Sequence, residues 1–266
     1  MPKSAFLRLS LPDSSRFNLN IVRGRMETRM ELPDAAELEQ QIRALEADIA
    51  ILRAPAGSHL HKVLSDLPWP TLHADTLVYY KKQLMPGDQS DRSQSDRSDV
   101  PTDWRVSLAQ IEDMGHITDV ARSSFSAYRS HYHANPLLQP RLILEGYAEW
   151  AIEYLSDRAN NRLTFALKDQ QRLLAFLTCR IDPEIKTCEV ILNAVHPSVS
   201  GRGIYSYLFA ESLRSLARLG MEHVEISTQV WNYAVQKVWA RQGLNLNRAY
   251  DTYHVNAMLS RKCELT

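Results

Sequence analysis

The chain has no surplus of either charge: 31 Lys and Arg balance 31 Asp and Glu over 266 residues. The global field that draws a protein onto nucleic acid or an anionic membrane is therefore absent. Cysteine is scarce. Cys179, Cys188 and Cys263 stand at unrelated spacings, giving neither a disulfide framework nor a zinc-ligand pattern, and no metal is expected. No apolar run approaches the ~20 residues of a membrane span, and the polar-interrupted start MPKSAFLRLSLPDSS does not read as a secretory signal. The expectation is a reduced, soluble, cytoplasmic protein without nucleic-acid or membrane partners. The length admits one large domain or two small ones.

What the chain does have is a divider. Between residues 86 and 101 runs PGDQSDRSQSDRSDVP, in which SDRS occurs twice and apolar residues are almost missing. Such a stretch cannot bury enough surface to order itself, so 86–102 reads as a linker. Before it, Leu38, Ile42 and Leu45 fall on one helical face and Ile49 to Leu52 form a short apolar run. A helical stretch around His59 to Leu64 follows, then the strand pattern TLHADTLVYYKKQL. After the linker come a strand (DWRVSLAQ), a helix from Ile117 to Phe125, a polar aromatic loop to Pro140 and a helix from Leu142 to Leu155. Three strands follow, RLTFALK, RLLAFLTCRI and CEVILNAV, the first two joined at Asp169, Gln170 and Gln171. A helix from Ile204 to Leu219 ends at Gly220; then come the strand HVEISTQV, a helix from Tyr233 to Gln242 and a last strand, TYHVNAML. This is a mixed α/β order.

The richest segment is Val190 to Glu211, VILNAVHPSVSGRGIYSYLFAE. An apolar strand runs through Gly201-Arg202-Gly203 into an amphipathic helix. A glycine turn opening a helix gathers unpaired backbone N–H groups at its positive end, and the missing side chains let an anion come close. A phosphate suits such a site.

With Val195-x-Pro197 before the turn and Asn232 to Leu244 after it, the segment resembles the GNAT superfamily of acyl-CoA-dependent N-acyltransferases. That family's turn reads Val-x-Pro-x-x-(Arg/Gln)-Gly-x-Gly-x-(Gly/Ala). Here Ser200 stands where Arg or Gln is usual, and Tyr205 where Gly or Ala is usual. The order of elements from Asp103 to Leu259 is also that of the family. The resemblance implies a GNAT fold with a central mixed, mostly antiparallel sheet: a complete acyltransferase domain over 103–266, preceded by a truncated GNAT-like half-domain over 1–85. Asp13 to Phe17 (DSSRF), DTLVYY, the loop SSFSAYRSHYHANPLL, Gly146-Tyr147 and Trp150 are further similar to the TDP-fucosamine acetyltransferase type. Those enzymes acylate the amine of a nucleotide-linked deoxysugar.

Carried onto these residues, the resemblance implies the following. Pantetheine of an acyl-CoA co-substrate would pair with the backbone of Leu192, Asn193, Ala194 and Val195, where a backbone N–H polarises the thioester carbonyl. The pyrophosphate would lie over Ser200, Gly201, Arg202, Gly203, Ile204, Tyr205 and Ser206. Asn232 begins the second CoA block, in which Trp239 takes the place of a tyrosine that often protonates the departing thiolate. An indole has no comparably acidic proton, so either another group, with Tyr205 and Tyr233 nearest in sequence, acts as the acid, or the thiolate leaves unaided.

Attack by an amine also needs a deprotonated nitrogen. Arg129 to His133 is the densest titratable cluster, so His131 and His133 are candidate bases, with Asn193 facing the acyl group or the acceptor. The same loop suits an anionic ligand, with Arg129 on a phosphate and Tyr132 stacking on a base. His196 and His254 are further histidine candidates. The expected activity is transfer of an acetyl or other short acyl group to a nucleotide-linked amino sugar, with a homodimer left open. Two alternatives remain: a non-catalytic acyl-CoA-binding or regulatory module, and an acetyltransferase for a peptide or another small amine.

Overall fold

The computed structural model describes residues 6–27, 32–85, 101, 103–156, 161–170 and 172–259. The linker from 86 to 102, apart from Pro101, lies outside these residues, as do Gln171 and Cys263.

Before the linker the elements are β1 (Arg8–Leu9), α1 (Leu11–Phe17), β2 (Ile21–Arg25), α2 (Ala35–Ala44), β3 (Ile49–Pro55), α3 (Leu60–Ser65) and β4 (Thr71–Gln83). After it come β5 (Arg105–Leu108), α4 (Met114–Phe125), α5 (Pro140–Ser156), β6 (Arg162–Lys168), β7 (Leu173–Asp182) and β8 (Thr187–Val195). The chain continues with α6 (Ile204–Arg218), β9 (His223–Gln229), α7 (Tyr233–Arg241) and β10 (Asn245–Val255). The fold is mixed α/β, as expected. Its single ten-stranded sheet has the order β1-β2-β3-β10-β4-β9-β8-β7-β6-β5. Only β2–β3 and β8–β9 are parallel; the other seven pairs are antiparallel.

Local chemistry explains the elements. Asp34 caps α2, its carboxylate accepting from the Glu37 N–H at 2.7 Å. Leu208, Phe209, Leu213 and Leu216 of α6 point inward at helical spacing and pack on Leu177, Val190 and Ile226 of the sheet. On the other face, Ile117, Val120 and Ala121 of α4 and Ile143, Tyr147 and Ala151 of α5 cover Ala166, Phe176 and Leu192. A third cluster lies under α2 and α3 around Leu38, Ile42, Leu52 and Leu60. No helix among the described residues is long and apolar enough to cross a membrane.

Three features position the site. First, β8 carries a bulge: Val190 pairs with Cys179 and Leu192 with Thr178, leaving Ile191 extra. The bulge reverses the alternation. Cys188 and Val190 face the α6 side, whereas Leu192 and Ala194 face α4 and α5. Second, β8 pairs with β9 only from Thr187↔His223 to Val190↔Ile226, so the two strands part where the bulge begins.

Third, the two parts of the chain exchange their last strands. The run β2–α2–β3–α3–β4 has the same order as β8–α6–β9–α7–β10, each with one parallel pair. Yet β4 pairs with β9 and β10, and β10 pairs with β3 and β4. The final strand was expected at 252–259. It runs instead from Asn245 to Val255, and residues 257–259 turn helical. Asn256 is buried there, accepting from Asn135 Nδ2 at 2.7 Å.

Candidate active site

A cavity of about 950 Å3 opens where β8 and β9 separate. One wall is β8 from Glu189 to Val195. Opposite lie Ser227, Thr228 and Gln229 of β9, and Asn232 and Trp239 at the two ends of α7. The floor at one end is the turn from Ser200 to Ser206. At the other end stand Tyr128, Ser130, His131 and Tyr132, with Arg23, Arg25 and Arg53 from the first part of the chain.

The separation of β8 from β9 frees backbone groups. His196 N donates to Leu174 O at 2.8 Å, and the antiparallel alternation carries the amides of Ala194 and Leu192 toward β7. In agreement, the Thr178 hydroxyl accepts from Leu192 N–H at 3.1 Å. The amides of Asn193 and Val195 therefore face the gap. The Val195 carbonyl is held by Ser124 Oγ at 2.8 Å, which ties the end of the strand to α4. The Asn193 side chain lines the cavity, half-buried, with no hydrogen-bond partner among the described residues. It is thus not a satisfied core asparagine.

The turn has the shape an anion needs. Gly201 and Gly203 have φ of +81° and +75°, which any L side chain adopts only with strain, and a Cβ at either would meet open space. Gly203 is the N-cap of the 15-residue α6, whose first turn holds no acidic residue. Arg202 of the same turn is exposed and does not line the cavity. Ser206 Oγ accepts from Gln242 Nε2 at 3.2 Å, joining the starts of the turn and the end of α7. Ahead of the turn, His196 Nδ1 lies 2.8 Å from Ser198 Oγ and accepts from Ser198 N–H at 3.2 Å, a local cap rather than a group in the cavity.

Trp239 is 1% exposed, stands edge-on to Tyr80 of β4, and donates its indole N–H to Tyr205 Oη at 2.7 Å. Tyr205 reaches the cavity, and its hydroxyl proton has no acceptor among the described residues. Burial raises its pKa, the indole hydrogen bond working against that. Tyr233 is 64% exposed and lies outside the cavity. Asn232 Nδ2 donates to Thr228 Oγ1 at 3.0 Å, holding the start of α7 to β9.

The loop after α4 departs from expectation. Asn135 Oδ1 accepts from Leu137 N–H at 3.1 Å, which fixes its amide so that Nδ2 donates to Asn256 and to His254 Nδ1 at 3.1 Å. His254 must then carry its proton on Nε2 and donate it to His131 Nδ1 at 2.9 Å. The lone pair of His131 is occupied, and the proton on its Nε2 makes it a donor. Burial holds its pKa well below the usual range, with His254, Arg23 and Arg53 adding repulsion. His254 is lowered to about 3, again first by burial. His131, expected as a base, therefore stands with its acceptor nitrogen engaged and its charged form disfavoured.

His133 does not reach the cavity; its Nδ1 accepts from Ser130 N–H at 3.2 Å and caps a short 3-10 turn. Arg129 is exposed and also outside. Tyr132 lines the cavity, but its hydroxyl donates to Asp13 Oδ1 at 2.8 Å and accepts from Arg23 Nη2. Burial pushes its pKa up to about 12. Its ring packs on His131 at 4.0 Å between centroids, so it is a fastener rather than a free stacking platform.

Sequence reasoning missed the three arginines and Tyr128, whose hydroxyl donates to Gln229 Oε1, which in turn donates from Nε2 to Asp75 Oδ2 at 3.3 Å. The first part of the chain reaches the site only through the tertiary fold. An Arg-x-Arg alternation at 23 and 25 was the one local sign. No group of three metal-ligating side chains occurs among the described residues.

Comparison with known proteins agrees with this geometry. The acetyltransferase (GNAT) family matches residues 123–244, which hold β8, the turn, α6, β9 and α7. Three solved structures share the fold. A conserved protein of unknown function from Staphylococcus epidermidis has a TM-score of 0.62 at 13% identity, over 96% of this chain and 92% of its own. A GCN5-related N-acetyltransferase from Sphaerobacter thermophilus has 0.61 at 13%, over 93% and 75%. A tandem GNAT protein from the clavulanic acid biosynthesis pathway has 0.58 at 10%, over 88% and 74%. No curated protein matches the chain. The family match covers a little under half of the chain, and the solved structures show that the whole of it shares their fold.

Proposed function

We propose that the protein is an acyl-CoA-dependent N-acyltransferase that acts on a small amine. The observation that supports this reading is the opening of β8 from β9 directly beside the left-handed glycine turn, because the two together would serve as both halves of a CoA site. The turn from Ser200 to Ser206 would hold the pyrophosphate on backbone N–H groups. Pantetheine would lie along Leu192 to Val195, and the free amides of Asn193 and Val195 would bind the amide groups and polarise the thioester carbonyl.

The amine nitrogen attacks the carbonyl carbon, and the carbonyl becomes an oxyanion held by backbone N–H. The carbon–sulfur bond then breaks, and Tyr205 Oη–H, held from behind by the Trp239 indole, gives its proton to the leaving thiolate. The attacking nitrogen loses its own proton to water. Among the described residues that line the cavity the one carboxylate is Glu189, which pairs with Arg180, and the arginines at the acceptor end disfavour an ammonium, so the amine enters readily as the neutral nucleophile.

For the acceptor, a nucleotide-linked amino sugar is the finer reading and rests on the DSSRF and SSFSAYRSHYHANPLL resemblance. In this reading the part over 1–85 serves as a half-domain completing the acceptor side of 103–266. The assay is free-thiol release from acetyl-CoA with and without a panel of amines, nucleotide-linked amino sugars included. Amine-dependent release is the expected result. CoA binding with no release across acetyl-CoA, longer acyl-CoAs and the amine panel would instead make the protein an acyl-CoA-binding module.

A further inference from the structure

Arg23 and Arg25 are alternate residues on β2, so both project from one face, and Arg25 pairs in register with Arg53 of β3. All three line the main cavity. They also line a neighbouring cavity of about 840 Å3, whose wall adds Arg8. Among the described residues, two carboxylates pair with these guanidiniums. Asp13 is buried and spent on Arg23 Nε at 2.5 Å and on the Tyr132 hydroxyl. Glu27, 62% exposed, meets Arg25 Nε at 3.2 Å. Arg53 is half-buried and donates from Nε to Thr252 Oγ1 at 3.3 Å; no carboxylate pairs with it among the described residues. A half-buried guanidinium without a counter-ion is costly unless a ligand supplies the charge.

We infer that Arg53, with Arg23 and Arg25, forms an anion subsite that receives a carboxylate or phosphate carried by the acceptor. The fork of a guanidinium matches either group in a bidentate fashion. The subsite stands at the cavity end away from the glycine turn, so the acceptor's anion would be gripped while its amine points toward β8. The site also explains why the exposed Arg129 is not needed for the task. Identifying the bound anion as part of the acceptor rests on the N-acyltransferase reading; the existence of the subsite does not.

The test separates the two. The whole chain is first saturated with CoA, so that the glycine turn is occupied, and then titrated calorimetrically with inorganic pyrophosphate and, separately, with citrate. Wild-type protein should bind at least one of them, and the preferred probe distinguishes a phosphate from a carboxylate acceptor. Arg53→Gln should weaken that binding about tenfold or more, the loss of a charge-assisted contact, with CoA affinity unchanged as proof of an intact fold. Arg25→Gln serves as a second variant should Arg53→Gln lose CoA binding. Absence of binding by both probes, or affinity unaltered in the variants, would overturn the subsite. In the thiol-release assay, phosphoethanolamine and β-alanine should outpace ethanolamine, and Arg53→Gln should raise KM for the first two alone. If all three amines react equally, the subsite is wrong and the N-acyltransferase reading survives. If none releases thiol while pyrophosphate or citrate still binds, the subsite stands and the acceptor reading falls.

Discussion

The indole N–H of Trp239 donates to the hydroxyl oxygen of Tyr205 at 2.7 Å, across the gap between α7 and α6. Both residues, like Ser200, stand where the sequence departs from the turn and second block it otherwise resembles. A hydroxyl is thus present at the cavity wall, offered from the neighbouring helix. Tyr205→Phe should lower turnover about tenfold while CoA affinity holds, below the usual ~100-fold or more for a lost acid because a thiolate of pKa ~8.5 leaves without much help. The deficit should shrink as pH rises toward that value. The variant also orphans the buried indole N–H, a cost of about 1–3 kcal/mol. Combining it with Trp239→Phe should restore part of the stability in thermal unfolding but none of the rate, which distinguishes a chemical role from a packing one.

Gly203→Val tests the turn. Its φ of +75° strains any side chain, at roughly 1–2 kcal/mol for a Cβ and more for a branched one. The new atoms point into open space, so the fold should survive. Calorimetry should find CoA binding abolished while circular dichroism stays native. Normal CoA binding would remove the turn from the site.

Asn193→Ala should leave stability within about 0.5 kcal/mol, since its side-chain amide bonds to nothing among the described residues. Its effect should fall on kcat/KM, by about tenfold if the side chain meets the acyl group or the amine. Equal kinetics for the variant and wild type would make Asn193 a bystander.

The histidine pair predicts a pH profile. Both His131 and His254 titrate below their unfolded value of 6.5, His254 at about 3. The unfolded chain therefore takes up protons first as the solution is acidified. Their contribution is complete above ~6.5 and is lost as pH falls below it, for His254 down to about 3, at up to about 1.4 kcal/mol per pH unit. Urea midpoints measured from pH 7 to pH 4 should fall accordingly. His254→Asn should flatten that slope; an unchanged slope would mean that the pair is not buried and neutral.

Much of the C-terminal part was legible because its signals are local. The limits expected for α6, Ile204 to Leu219, differ from those found by one residue, since Gly203 and Gly220 punctuate it and the leucines keep helical spacing. The expected β8 differs by one residue for the same kind of reason. β10 was misplaced because Asn245, Asn247 and Asp251 give it a polar face that no alternation marks, and its pairing partner lies far back in the chain. The loop residues Arg129 and His133 were attractive for their chemistry alone, yet the 3-10 turn from His131 to Ala134 points them away from the cavity. Asp13 was noticed as part of a motif; its service to Tyr132 depends on a contact more than a hundred residues long in sequence.

The strand exchange sets a timetable for the nascent chain. As residues 6–85 leave the ribosome, β3 and β4 have no common neighbour, because the strand that lies between them is β10, the last of the sheet. Until Asn245–Val255 has been synthesised, both carry open edges, which invite pairing with another chain. At ~5–20 residues per second the interval from residue 85 to residue 255 is roughly 10–30 s. Expression at lower temperature or with a holdase chaperone should therefore raise the soluble yield of this protein more than that of one whose first domain closes on itself.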